Sequence, residues 1–250
     1  MTTCIAAVAE DRLGVTLAHD LLDRVVIEEG PSWMADLWSE PSLLPSARAW
    51  QGLEGREPFA RWTHLADPAP ERRRVLHGLG LSGWSLQAYR AVQLAARLDP
   101  LPDVLVLCVD TQGDASLHTK LVRGIEHAGA VPFAVLLAVA HQESEAWVVC
   151  GFVPADQAEA RRLRDYRQRH GFDPTTEAHR LTPNRPTDPH DAKRCCDELL
   201  QGDSLSPRAS ACWQRVPLAV LRERGNRTGL TRYLDAVADW LGRHHPGHSG

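Results

Sequence analysis

The chain has 250 residues, of which 43% are hydrophobic and 24% charged, and these proportions are ordinary for a globular protein. Acidic residues outnumber basic ones by 32 to 28, so the net charge of -4 excludes binding of nucleic acid or membranes through overall charge alone. There is no apolar run of ~20 residues and no secretory signal, and the six cysteines include no C-x-x-C pair. These features predict a cytoplasmic protein without a membrane partner, a disulfide framework or a structural zinc site.

The first predicted elements are a strand and a helix that flank an acidic turn. Residues 4–9 form a wholly apolar run, typical of a strand buried on both faces, and the run stops at Glu10. Helical spacing of apolar residues then predicts a helix over 15–28. The range of about 30–70 is rich in proline and tryptophan, which indicates an irregular insertion with one short helix near 47–53.

Strands and helices alternate in the next part of the chain. The predicted strands there cover residues 73–77, 103–109 and 131–140, and the predicted helices cover 85–98 and 115–128. After Trp147 the pattern becomes helical. The predicted helices of this part are 156–170, 191–200, 217–224 and 230–241. We therefore expect an α/β domain over residues 1–150 and a helical C-terminal extension over 151–250 that packs on it.

Alternation of this kind predicts a mostly parallel central sheet covered by helices on both faces. In parallel sheets the functional groups collect at the carboxyl ends of the strands. Glu10, Asp110 and His141 each follow or end such a strand. For His141 by itself, a structural role is favoured over a catalytic one.

The acids at these strand ends predict a metal site. Carboxylate oxygens are ligands that Mg²⁺ or Mn²⁺ prefers, and we expect Glu10 and Asp110, with Asp114, to bind such an ion. The alternatives are that Glu10 caps the following helix and that the two aspartates only shape a turn. Glu145 either joins the metal site or is an acid favoured by the start of a helix.

Two other patterns give only weak evidence for a function. The run Gly78-x-Gly-x-x-Gly83 follows a predicted strand and precedes a helix, but no acid closes a second strand at the distance that a dinucleotide site requires, so a tight turn is favoured. A serine hydrolase has little support because no G-x-S-x-G motif is present.

The order of these motifs resembles that of Toprim-like proteins of an uncharacterised bacterial family associated with defence islands. The resemblance rests on the acid after the first strand, the glycine-rich turn, Asp110-x-x-x-Asp114, and His141-x-x-x-Glu145-Ala-Trp. It implies a three-layer Toprim-like fold in which Glu10, Asp110 and Glu145 are catalytic acids and metal ligands. The chain departs from the family pattern at Gln112, where a second aspartate is expected.

Two functions follow from this resemblance. The first is an Mg²⁺- or Mn²⁺-dependent nuclease or phosphoryl-transfer enzyme, acting on nucleic acid in anti-phage defence, with arginines of 72–74 and 161–169 as candidate phosphate contacts. The second, favoured by Gln112, is a catalytically degenerate protein that binds a nucleotide or nucleic acid, or docks on a protein partner encoded in the same operon.

Overall fold

A five-stranded parallel sheet forms the centre of the protein. The computed structural model describes residues 2–53, 57–66, 80–183, 185 and 187–244. The strands are β1 (Thr3–Ala9), β2 (Arg48–Gln51), β3 (Ala60–Arg61), β4 (Val104–Asp110) and β5 (Ala134–Ala140). Their order is β2-β1-β4-β5, β3 also pairs with β1, and all these pairings are parallel. The predicted α/β class with a mostly parallel sheet is therefore confirmed.

The described helices fall into two groups along the chain. The first group is α1 (Arg12–Glu29), α2 (Ser32–Ser39), α3 (Leu44–Ala47), α4 (Trp62–Ala66), α5 (Gly83–Ala95) and α6 (Leu117–Ala128). The second group is α7 (Ser144–Cys150), α8 (Gln157–His170), α9 (Ala192–Leu200), α10 (Pro207–Gln214), α11 (Leu218–Gly225) and α12 (Leu230–His244), with a short 3-10 helix at Ala178–Arg180. Every helix in the described ranges is too short or too polar to cross a lipid bilayer.

The sheet is buried on both faces, which gives the protein three layers. Alternate residues of β1 point to opposite faces: Ile5 and Ala7 pack with α1 and the C-terminal helices, whereas Ala6 and Val8 pack with α5 and α6. This double burial explains why the strands are continuous apolar runs rather than alternating ones. The predicted three-layer arrangement with a helical C-terminal part is confirmed.

The C-terminal helices complete one layer of the core. Helix α12 packs on β5 and α1, and its Tyr233 and Trp240 are buried. The Tyr233 hydroxyl donates a hydrogen bond to the Ala18 carbonyl oxygen of α1 at 2.8 Å. The predicted extension therefore shares a hydrophobic core with the sheet.

The helix predicted near 47–53 is wrong, because this segment contains β2. β2 pairs with β1 so that Trp50 lies opposite Ile5, and the Trp50 ring stacks on His19 of α1 with centroids 3.4 Å apart. Pairing satisfies the backbone groups that the edge of β1 would otherwise expose. The strand predicted at 73–77 lies outside the described residues.

Candidate acidic site at the carboxyl edge of the sheet

Glu10 and Asp110 lie at the ends of two neighbouring strands. β1 pairs directly with β4, with Val8 opposite Leu107. Both strands therefore reach the same edge of the sheet at these acids. Burial raises the pKa of Glu10, and the neighbouring Asp110 backbone opposes that rise. The predicted adjacency of the two strand ends is confirmed.

The cap of α1 is Asp11 rather than Glu10. The Asp11 carboxylate accepts a hydrogen bond from the Gly14 backbone N–H at 2.9 Å, which satisfies one of the free donors at the helix start. This capping leaves the Glu10 carboxyl group available for other contacts. The alternative interpretation, in which Glu10 caps the helix, is therefore wrong, because Asp11 is the cap.

The turn that begins α7 brings further polar groups to the same edge. Ser144 donates a hydrogen bond from Oγ to Asp110 Oδ1 at 2.7 Å. Glu143 and Glu145 flank this serine and are only 2% and 8% exposed. We call Glu10, Asp11, Asp110, Glu143 and Glu145 the acidic cluster.

Burial raises the pKa values of three carboxyl groups of the acidic cluster, and neighbouring acids add to the increase. Burial raises the pKa of Asp110 to about 8, with further increases from Asp11, Glu10 and Glu145. Burial likewise raises the pKa of Glu145 to about 7, and burial followed by the charge of Asp11 raises the pKa of Glu10. At neutral pH these environments favour a bound proton or a nearby cation.

One cation of the chain itself lies beside the cluster. Lys193, in the first turn of α9, has its Nζ 3.6 Å from a Glu143 carboxylate oxygen. Burial lowers the pKa of Lys193, but the charges of Glu143, Glu145 and other acids of the cluster outweigh burial and raise it. The lysine is therefore charged, and half of its side chain remains exposed to solvent.

Asp114 has contacts of a different kind. Its carboxylate accepts hydrogen bonds from the Ser116 backbone N–H at 2.9 Å and from Lys120 Nζ at 2.6 Å. The hydrogen bond from Lys120, followed by those from Ser116, lowers the pKa of Asp114 to about 2. Gln112, at the position of the second aspartate in the family pattern, is exposed and has a positive φ of 46°. The side-chain contacts described for Asp114 are thus with Ser116 and Lys120 rather than with residues of the acidic cluster.

The side chains that could bind a metal ion are distributed over the described residues 2–53, 57–66, 80–183, 185 and 187–244. Among these residues, no group of three or more His, Cys, Asp or Glu is positioned to hold a metal ion. Mg²⁺ is commonly bound by only one or two carboxylates and keeps several waters. The hard oxygen donors of the acidic cluster fit that requirement in chemical type.

A cavity of about 410 Å³ adjoins Glu10 on the side of β3 and α5. Its aromatic wall is formed by Trp62 and Trp84, whose rings meet edge to face at 5.3 Å. Trp62 is 3% exposed and donates a hydrogen bond from Nε1 to the Cys108 carbonyl oxygen at 2.7 Å. Trp62 is thus mainly a packing residue of the wall.

Most arginines predicted as phosphate contacts in α8 have partners inside the protein. Arg162 donates a hydrogen bond to the Leu199 carbonyl oxygen at 2.9 Å, and Arg167 and Arg169 pair with Asp173 and Glu198. These contacts tie α8 to its neighbours. Residues 72–74 lie outside the described part of the chain.

The sequence prediction did not include Ser144 or Lys193 among the candidate site residues. Ser144 sits between two glutamates at the start of α7, and Lys193 follows the α9 cap, Asp191, by two positions. Ser144 could have been predicted, because it is a polar residue directly beside Glu145, a predicted site acid. Lys193 has no such local signal, because its position relative to β1 and β4 depends on how α9 packs against α7.

Comparison with known proteins adds no relative. No family model, no curated protein and no solved structure matches this chain. The Toprim-like resemblance therefore stays a prediction that rests on the motifs quoted above.

Proposed function

We propose that this chain is a Toprim-like enzyme that uses Mg²⁺ or Mn²⁺ to hydrolyse phosphodiester bonds in nucleic acid, as part of a bacterial defence system. One observation carries the proposal: carboxyl groups from β1, β4 and α7 meet at the carboxyl edge of a parallel sheet, and burial together with mutual repulsion raises their pKa values. A cation at this place relieves the repulsion. The six free cysteines agree with a reducing, cytoplasmic location.

Each residue has a distinct part in this proposal. Asp110 and Glu145 are the candidate ligands of the ion, and Glu10 is the candidate general base that takes the proton of the attacking water. A bound Mg²⁺ would supply charge neutralisation at the phosphate and a lower pKa for water. Ser144 orients Asp110 through their hydrogen bond, and the exposed end of Lys193 is placed to attract the phosphate.

The test is cleavage of single-stranded DNA, duplex DNA and RNA by the purified protein with Mg²⁺ or Mn²⁺. We expect Asp110→Asn to lower the rate roughly 10²- to 10⁴-fold, the range for loss of one acid–base or metal-binding group. Asp165→Asn, on the exposed side of α8, is the matched control and is expected to leave the rate unchanged. Absence of cleavage with every substrate and either ion, or full activity of Asp110→Asn, would contradict the proposal.

A second candidate is a catalytically degenerate protein that binds a nucleotide or nucleic acid, or docks on a protein from the same operon. It is favoured by the Lys193 ammonium group beside Glu143, which already supplies a cation, and by the lack of a described group of three metal-binding side chains. Titration calorimetry separates the candidates. Heat from Mn²⁺ that Asp110→Asn abolishes supports the enzyme, and no heat from the wild type supports the degenerate protein.

A further inference from the structure

A second cavity, of about 400 Å³, lies at the ends of β4 and β5. We call the cavity the basic pocket; its polar lining residues are Thr111, His118, His141, Asn226, Arg227 and Arg232. None of the described residues that line this cavity is acidic. Within the described ranges neither arginine has a carboxylate partner, unlike Arg167 or Arg169 of α8. Two guanidinium groups without a counter-charge in a concave surface are typical of a site for an anion.

The turn between α11 and α12, which contains Arg227 and directly precedes the helix of Arg232, is anchored through its backbone. The Thr228 carbonyl oxygen accepts hydrogen bonds from the His141 backbone N–H and from Trp147 Nε1, both at 2.8 Å. Gly229 has a φ of 86°, and a Cβ atom there would lie 2.1 Å from the Val139 carbonyl oxygen. Only glycine allows this close approach, so the turn is fixed against the end of β5.

The electrostatic environment of the basic pocket is positive. Burial, followed by the charge of Arg232, lowers the pKa of His118. Burial, followed by the charge of Arg227, lowers the pKa of His141. The arginines thus act on the imidazoles in the cavity, and an anion bound between them would relieve this repulsion.

The basic pocket and the acidic cluster share one edge of the sheet. Thr111 directly follows Asp110, and its backbone N–H donates a hydrogen bond to the Ala140 carbonyl oxygen at 2.9 Å. His141 follows Ala140, and its Nδ1 lies 3.3 Å from Thr111 Oγ1. The acidic cluster and the basic pocket thus contain consecutive residues of the chain, Asp110 and Thr111.

We propose that the basic pocket binds a phosphate group of a nucleic-acid strand, next to the phosphate at the acidic cluster. The second half of this statement rests on the proposed function, whereas binding in the pocket requires neither metal nor cleavage. Both arginines are exposed, so a bound phosphate remains linked to the rest of a strand on either side. This openness favours a polymer over an enclosed free phosphate ion.

The test is fluorescence anisotropy with a short labelled single-stranded oligonucleotide, in EDTA and over a series of salt concentrations. We expect the double variant Arg227→Ala/Arg232→Ala to bind roughly 10-fold more weakly or worse, because its side chains can no longer donate charge-assisted hydrogen bonds. The slope of log K against log salt should also become shallower by about 0.7 for each phosphate that the variant no longer neutralises.

The matched control is Arg97→Ala/Arg243→Ala, which removes the same charge from two exposed arginines outside the pocket. Arg97 follows the end of α5, and Arg243 lies in the last turn of α12, at the opposite end of that helix from Arg232. We expect this control to bind like the wild type. Arg232→Glu provides a second variant if the double alanine variant does not fold.

The outcomes separate this inference from the proposed function. Equal affinity of the wild type, the double variant and the control would overturn the inference, even if Asp110→Asn abolished cleavage. Binding of inorganic phosphate that depends on the arginines, without binding of the oligonucleotide, would also overturn it. Arginine-dependent oligonucleotide binding in EDTA supports it, including the case in which no substrate is cleaved.

Discussion

Two carboxyl groups of this protein, that of the buried Glu159 and that of the half-buried Asp110, have opposite environments. Glu159 accepts hydrogen bonds from Arg208 Nε and Nη2 at 2.7 and 2.6 Å, and these bonds lower its pKa. Asp110 accepts one from Ser144, while burial and three acidic neighbours raise its pKa to about 8. The comparison indicates that Glu159 stabilises the fold, whereas the ionised form of Asp110 is disfavoured and would be stabilised by a cation.

The largest effect on stability should come from breaking the satisfied pair. Arg208→Ala removes the arginine that donates hydrogen bonds to the Glu159 carboxylate, whose side chain is 6% exposed, and leaves the more distant Arg162 at 3.7 Å. Loss of one partner of a buried pair costs about 3 kcal/mol of the free energy of unfolding. The measurement is urea denaturation. Arg164→Ala is the control, because its side chain is 62% exposed and 4.0 Å from Asp165, and should cost less than about 0.5 kcal/mol. If the two variants were equally stable, the conclusion that the Glu159–Arg208 pair stabilises the fold would be wrong.

The pH dependence of stability should differ in sign between the two carboxyl groups. The folded protein holds a proton on Asp110 that the unfolded chain releases above its ordinary pKa of 3.8. The stability that this proton contributes is therefore complete at low pH and is lost as pH rises towards 8. In EDTA, Asp110→Asn should gain on the order of 2 kcal/mol relative to the wild type between pH 5 and pH 8.

Glu159→Gln provides the contrast for this titration. Because Arg208 lowers the pKa of Glu159, the stability from this carboxylate is present above its ordinary pKa and is lost as pH falls through the lower folded value. The variant should therefore lose most relative to the wild type at neutral pH. Parallel pH profiles for the two variants would show that the contrast between the two sites is wrong.

The smallest effect is expected at Asp114. Its carboxylate accepts hydrogen bonds from Ser116 and Lys120, and the bond from Lys120, followed by those from Ser116, lowers its pKa. Metal-dependent cleavage by Asp114→Asn should therefore match that of the wild type in the assay used for Asp110→Asn. A loss as large as that of Asp110→Asn would mean that Asp114 joins the site when substrate or metal is bound.

Much of the fold could be predicted because its signals are local. The apolar runs of β1, β4 and β5 identify strands buried on both faces. The segment of β2 was predicted as a helix because its strand character depends on a partner in β1, more than 40 positions earlier in the chain. Helix α10 was not predicted, although Ser206 and Pro207 at its start are an N-terminal signal.

The sequence by itself determined that two buried strands end in acids and that alternating strands and helices place those ends at one edge of a parallel sheet. Only the tertiary structure decided which polar groups join them: Ser144 and Lys193 are included, Asp114 pairs with Lys120, and Arg227 and Arg232 line a cavity at the ends of β4 and β5. The physical reason is the distance in sequence over which each interaction acts. Periodicity and capping act within a few residues, whereas these groups meet through packing between helices and strands that lie far apart in the chain.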